Sequence, residues 1–259
     1  MRIPIYQVDA FTSRLFAGNP AAVCPLQEWL PDEQMQAIAL ENNLSETAYF
    51  VDGGDHYKLR WFTPTVEVDL CGHATLASAF IILTELAPGG REVRFQTCSG
   101  ELVVTREGER FAMDFPARPP AECAVHPDLI AALGGNPERV LASRDYLVVY
   151  GAEAEVRALR PNMERLAKVD HFAVIATAPG NEVDFVSRFF APAKGVPEDP
   201  VTGSAHCTLI PYWSDRLGKK ELHALQVSSR GGELWCEYRG DRVTIAGSAV
   251  RFLTGTIEV

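Results

Sequence analysis

The feature that most constrains the fold of this 259-residue chain is that it repeats itself. Arg60-Trp-Phe-Thr-Pro64 returns in the second half as Arg188-Phe-Phe-Ala-Pro192. Just downstream, Glu67-Val-Asp69-Leu-Cys-Gly72-His-Ala-Thr75 is echoed at nearly the same offset by Glu198-Asp199-Pro-Val-Thr-Gly203-Ser-Ala-His206. Two near-equal offsets in the same order indicate internal duplication, each copy reading strand, Phe-x-Pro turn, acidic loop, glycine and helix. A duplicated chain of this length predicts two similar halves of ordinary domain size. Phe115-Pro-Ala-Arg-Pro-Pro120 supplies the break, because prolines stiffen the backbone and remove hydrogen-bond donors. The expected halves are residues 1–117 and 118–259, with the C-terminal strand able to cross back onto the first.

Strand patterns dominate both halves. In the first they cover residues 3–11, 47–51, 57–62, 93–97, 102–106 and 111–115, several alternating apolar and polar side chains as strands covered on one face do. In the second they cover 146–149, 172–176, 183–190, 225–228, 233–238, 242–246 and 250–253. A helix fits residues 31–43, with Met35, Ile38 and Ala39 on one side, and shorter helices fit 126–133 and 152–159. The stretch 72–86 is helical in length but apolar nearly all round, so it must be buried all round. Strands wrapped around such a helix satisfy both patterns, which predicts an α+β fold. Pro211 is expected to kink or shorten the corresponding helix of the second half.

The net charge is −10 and no stretch is rich in Lys or Arg. A phosphate backbone or an anionic membrane repels such a surface, which excludes nucleic acid and lipid as expected partners while leaving room for a local positive pocket that takes a small anion. Pro4 and Asp9 interrupt the N-terminal apolar run, so it reads as a strand and not as a signal peptide. No run approaches the ~20 apolar residues of a membrane span. The six cysteines are scattered without a C-x-x-C pair, which predicts neither a disulfide scaffold nor a structural zinc site and points to the cytoplasm. Dinucleotide, P-loop and G-x-S-x-G motifs are missing, as is H-E-x-x-H, and no metal ligands are assigned. His206-Cys207 lacks a partner spacing and reads as buried packing. Proton transfer by side chains alone, with no cofactor, is what survives.

The two glycine-led helix starts are the natural site. First-turn N–H groups lack intrahelical partners and carry partial positive charge, so they bind a carboxylate or oxyanion. A two-fold-like relation between Gly72-His73 and Gly203-Ser204 would place two such anion holes on one cleft. Glu46 stands where a helix hands over to a strand. Taken alone it reads first as a solvated carboxylate, and as an acid/base second. Asp69 and Asp199 sit at matched positions before the helices, as caps or as ligand contacts. His73 is a second proton carrier or simply a polar first-turn residue. Asn19, in Gly18-Asn-Pro-Ala-Ala22, reads as a tight turn whose amide can reach a ligand.

These motifs also resemble the phenazine-biosynthesis PhzF-like family from end to end. The matching segments are Val8-Asp-Ala-Phe-Thr12, Gly18-Asn-Pro-Ala-Ala-Val23, Asn43-Leu-Ser-Glu46, Phe62-Thr-Pro64, Cys71-Gly-His-Ala-Thr75, Glu198-Asp-Pro-Val-Thr-Gly-Ser-Ala205 and Ile245-Ala-Gly-Ser-Ala-Val250. The resemblance implies the diaminopimelate-epimerase-like fold, two pseudo-symmetric halves, each a barrel of strands around a central helix. It implies a homodimer and an isomerase that uses no cofactor. Glu46 would shuttle a proton between carbons of a small acidic metabolite, which in the phenazine enzymes is trans-2,3-dihydro-3-hydroxyanthranilate. Asn19, Ser45, His73, Asp199 and Ser204 would bind or orient the substrate, with the N–H groups of Gly72 and Gly203 on its carboxylate.

Departures from the family pattern keep other readings open. Fold relatives that racemise amino acids use two cysteines. Here Cys71 holds the first place and Thr202 the second, which speaks against a two-thiol racemase. His206 and Cys207 stand where the phenazine enzymes carry small residues. A Cys71-dependent epimerase or related lyase is therefore the alternative, and a non-catalytic member that binds a metabolite or a protein is the third reading.

Overall fold

All residues 1–259 are described in the computed structural model, where the chain divides into two units. The first comprises residues 1–114 and 246–259, the second residues 115–245.

In the first unit the order is β1 (Arg2–Ala10), β2 (Asn19–Leu26), α1 (Asp32–Asn42), β3 (Glu46–Asp52), β4 (Tyr57–Phe62), β5 (Glu67–Val68), α2 (Gly72–Ile81), β6 (Glu92–Thr97), β7 (Gly100–Glu107) and β8 (Arg110–Pro116). A wider helical turn, Ile82–Leu86, extends α2. β2 pairs antiparallel with β1 and parallel with β3; β3 is antiparallel to β4, and β4 parallel to β6. β6, β7 and β8 continue as an antiparallel meander. α2 packs against β1, β2, β3 and β7. His73 through Ala79 are all buried, the all-round burial its composition demands. α1 buries Met35, Ile38 and Ala39 against Ile3, Cys24, Tyr49 and Phe62.

The second unit runs β9 (Ala121–Glu122), α3 (Leu129–Leu133), β10 (Arg139–Ala142), β11 (Tyr146–Val149), α4 (Glu153–Ala158), α5 (Met163–Leu166), β12 (Val174–Pro179), β13 (Phe185–Ala191), β14 (Val196–Asp199), α6 (Gly203–Leu217), β15 (Glu221–Gln226), β16 (Gly232–Tyr238) and β17 (Arg242–Gly247). β11 is parallel to β12, β12 antiparallel to β13, β13 parallel to β15 and β15 antiparallel to β16. This is the same sequence of pairing senses as β2-β3-β4-β6-β7, with α6 in the place of α2. The duplication read from Arg60 and Arg188 is thus a duplication of topology. The last strand, β18 (Ala249–Glu258), belongs to the first unit, where it lies antiparallel to β1 and also touches α2.

Two expectations are corrected. Asn19 is not in a tight turn: it opens β2 and is fully buried opposite Ala10. The reversal is made just before it by Gly18, at φ +67°, where a Cβ would stand 2.2 Å from the Ala10 carbonyl oxygen. Pro211 does not shorten its helix, which continues to Leu217. A proline deprives the carbonyl four residues earlier of its donor. That carbonyl belongs to Cys207, and the N–H of Arg118 supplies the missing bond at 2.8 Å.

Candidate active site

The first unit gathers four of the expected site residues around one imidazole. α1 ends at Asn43 in the left-handed conformation (φ 47°), its N–H returning to Ala39 O, and shortly afterwards the chain enters β3 at Glu46. β3 is held in parallel register with β2, Glu46 opposite Ala21. α2 begins at Gly72, which makes His73 its second residue. The result is an ion-pair contact of 3.0 Å between His73 Nε2 and Glu46 Oε2. The angles are poor for a hydrogen bond, so the contact is chiefly one of charge. The other ring nitrogen, Nδ1, lies 3.2 Å from Asn19 Nδ2 and 3.4 Å from Cys71 Sγ. Ser45 Oγ donates to Asn19 Oδ1 at 3.0 Å.

This arrangement serves two protonation states of the ring. With the Asn19 oxygen turned to Ser45, its NH2 faces Nδ1, which then accepts, and the ring proton sits on Nε2 toward Glu46. Flipping the amide end for end serves the doubly protonated ring instead. Burial favours the neutral imidazole, but the contacts with Cys71 and Glu46 outweigh it and hold the His73 pKa well above its ordinary value. Burial, helped by the charge of Glu46, pushes the Cys71 thiol up to about 11. At neutral pH the thiol therefore keeps its proton, and Glu46 is the anion that His73 meets. Cys71 also caps α2 through its carbonyl, which accepts the N–H of Thr75 at 3.1 Å and its hydroxyl at 2.6 Å.

Glu46, Cys71 and His73 each offer a donor atom within 4.8 Å of the others. Cys71 meets Nδ1 while Glu46 meets Nε2, so the thiol and the carboxylate lie against different nitrogens of the same ring.

In the second unit the corresponding loop precedes α6. Asp199 Oδ2 accepts from Thr202 Oγ1 at 2.5 Å. Gln226, at the end of β15, donates to Asp199 O and accepts from Thr202 N, at 2.8 and 2.9 Å. Gly203 starts the helix, and Ser204 Oγ accepts from Arg144 Nη2 at 3.3 Å. Gln226 and Arg144 escape sequence reasoning because each stands alone, outside any motif. Asp69 acts through its carbonyl, which accepts from Ser99 Oγ at 2.8 Å.

His206 repeats the role of Thr75: its Nδ1 lies 2.8 Å from Thr202 O, the carbonyl one turn earlier. It is fully buried near Phe185, and burial depresses its pKa to about 4. The neutral form is the folded form, so the sign of its linkage follows. Stability is complete above the unfolded pKa of about 6.5 and is lost as pH falls toward 4, by about 3 kcal/mol from this group. Urea unfolding between pH 7 and 4 measures it, and His206→Gln is expected to flatten that slope.

Against known proteins, a family model described as "Phenazine biosynthesis-like protein" matches residues 8–255. The chain is 53% identical over 259 residues to a protein of Pseudomonas aeruginosa named an uncharacterized isomerase, covering all of both. It superposes on the crystal structure of a PhzF-family protein of Enterococcus faecalis with a TM-score of 0.98 at 46% identity, again over all of both chains. A predicted epimerase of Pseudomonas aeruginosa, 20% identical, shares the fold with a TM-score of 0.77 over 99% of each chain. The repeated topology, with a buried helix in each unit, is thus the diaminopimelate-epimerase-like fold, and the chain belongs to the phenazine biosynthesis-like (PhzC-PhzF) family.

Proposed function

We propose that this isomerase moves a proton between carbons of a small carboxylate-bearing metabolite, with Glu46 as the acid/base. The observation that carries the reading is the 3.0 Å contact of Glu46 with His73 at the first turn of α2, in a carboxylate that retains 16% exposure. Such a carboxylate is held in place yet reachable. Glu46 takes a proton from a carbon next to the substrate's carboxylate or conjugated to it. The electrons move toward that carboxylate, and Glu46 returns the proton at another carbon. His73, with its raised pKa, stands by as the positive charge beside the developing anion. The first-turn N–H groups at Gly72 add to it through the helix dipole.

Asn19 and Ser45 act as positioning residues in this scheme, because Asn19 bonds the imidazole and Ser45 holds the Asn19 amide. In the second unit the first turn at Gly203 and the Ser204 hydroxyl offer the same carboxylate-binding chemistry, Asp199 offers an acceptor for a substrate donor, and we assign all three to holding substrate. The reaction as drawn uses no cofactor and suits a cytoplasmic homodimer, whose mass light scattering would report directly.

The Cys71-dependent reading has one observation for it, the 3.4 Å contact between Sγ and His73 Nδ1. Against it stands the thiol's pKa of about 11, which leaves on the order of one thiolate in 10⁴ at pH 7. Incubation in D₂O with a panel of small carboxylates, followed by NMR, separates the two. Cys71→Ser is expected to keep wash-in of deuterium within about tenfold of wild type, since it removes no group that moves the proton. Loss of wash-in in Cys71→Ser, with Glu46→Gln still active, reverses the assignment.

A further inference from the structure

The second unit carries a cluster that the proton-transfer scheme does not use. Arg144, in the turn between β10 and β11, lays its guanidinium over the ring of Phe172, with Cζ 4.2 Å from the centroid. Lys194 places its Nζ 5.2 Å from the same centroid. Phe172 is a large apolar side chain left 40% exposed, so the two cations gather on a surface that solvent and a ligand can reach. Arg144 also points Nη2 at Ser204 Oγ, the second residue of the fifteen-residue helix α6. Its side chain keeps 35% of its exposure.

Charge in the cluster is unbalanced. Asp145 lies 3.3 Å from Arg144 Nε and is almost fully buried. Burial raises its pKa although Arg144 and Arg118 oppose the shift, and this one carboxylate beside Arg144 faces three cations, Arg144, Lys194 and Arg118. Arg118, whose backbone N–H bonds to Cys207 O in α6, has an enclosed Nη1 with no hydrogen-bond partner. On a chain of net charge −10, Arg144, Lys194 and Arg118 together form a local positive field next to a hydroxyl. A single neutral amino acid needs no such field, whereas a doubly charged anion does. A guanidinium seated over an aromatic ring has lost rotamer freedom, and with Nε turned to Asp145 and Nη2 to Ser204 it keeps Nη1 for a carboxylate or phosphate.

We propose that Arg144, with Lys194 and Ser204, forms a subsite selecting ligands that carry two negative charges, a dicarboxylate or a phosphate monoester, over monocarboxylates. Arg144 is its specificity-determining residue. This rests on the reading above that Ser204 and the start of α6 hold the substrate. It does not rest on Glu46.

Isothermal titration calorimetry of the full chain at low salt and mildly alkaline pH, with inorganic phosphate, succinate and acetate as probes, tests it. Phosphate or succinate is expected to bind wild type at least about tenfold more tightly than acetate, and whichever is tighter names the source of the charge. Arg144→Gln is expected to weaken the dianion about tenfold or more and to leave acetate within about twofold. Arg144→Lys restores part of the loss. The readout is binding and not proton exchange, so a failure of the proton-transfer reading leaves this result legible. Equal affinity for acetate and the dianions, or no binding of any probe, overturns the proposal. So does dianion binding unchanged in a folded Arg144→Gln. Where Arg144→Gln does not fold, the wild-type ratio of dianion to acetate decides alone.

Discussion

Glu46→Gln is expected to lower deuterium wash-in by about 10²–10⁴-fold, the usual contribution of a positioned acid/base, while the protein folds as before. The amide has the shape of the carboxylate and sits at the start of β3 with the same neighbours, but it can neither take nor return a proton. A second effect follows from the same change. The raised pKa of His73 depends on negative charge beside a buried ring. Removing the Glu46 charge takes away one of the two contacts that oppose burial, so the imidazole pKa is expected to fall. NMR titration of the ring would record that fall in the same sample that has lost exchange. A Glu46→Gln protein that exchanges at the wild-type rate would falsify the assignment outright. One that loses exchange while His73 titrates unchanged would keep Glu46 as the base and remove it as the source of the histidine's charge.

The second large effect is expected at Arg188. This side chain forms a bidentate pair with Glu198, Nε and Nη2 at 2.7 and 2.9 Å, while Nη1 donates to the carbonyls of Val156 and Leu159. It therefore closes the C-terminal end of α4 and ties it to β13 and β14. Only 11% of its side chain is exposed. Arg188→Ala strands a carboxylate and two carbonyls, and a cost of about 3–5 kcal/mol is expected, as for other broken buried pairs. Its counterpart by duplication makes the control. Arg60 is also bidentate, with Glu67, and also lies over the Phe two residues on, but it reaches outward to an exposed Asp32. Arg60→Ala is expected to cost about 1 kcal/mol, because solvent screens those partners. Urea midpoints of the two variants measure the contrast, and equal losses would mean that burial does not set the difference.

That pair shows why so much of the fold is legible in the sequence. Arg60-Trp-Phe-Thr-Pro64 and Arg188-Phe-Phe-Ala-Pro192 repeat because each builds the same strand and the same clamp, and the repeat survives in the order of pairing senses. α2 is legible for the opposite reason: with no polar face, it has nowhere to be except inside. What resists reading depends on partners far away in the chain. Asn19 looks like a turn because it stands between Gly18 and Pro20, and only its pairing with Ala10 draws it into a strand. Pro211 looks like a break because nothing near it in sequence hints that Arg118 will bond the carbonyl it deprives. At the site, Glu46, His73 and Asn19 lie in motifs, and the structure brings them together on one imidazole. Arg144 and Gln226 lie in none, and nothing about their neighbours in sequence marks them as different from any surface arginine or strand glutamine.

The pairing of β1 with β18 bears on how the chain comes off the ribosome. Ala10 waits for Ala249, a partner made 239 residues later, whereas the strand pairs from β9 through β16 all lie within residues 121–238. Those strands of the second unit are therefore complete while β1 still lacks one neighbour and α2 one of the strands that touch it. Closing so long a loop costs little more entropy than closing a short one, since the cost grows only with the logarithm of length, but it cannot begin until the distant strand exists. The nascent first unit thus carries an open strand edge until β18 is made, the kind of surface that chaperones hold and that neighbouring copies on the same messenger can invade.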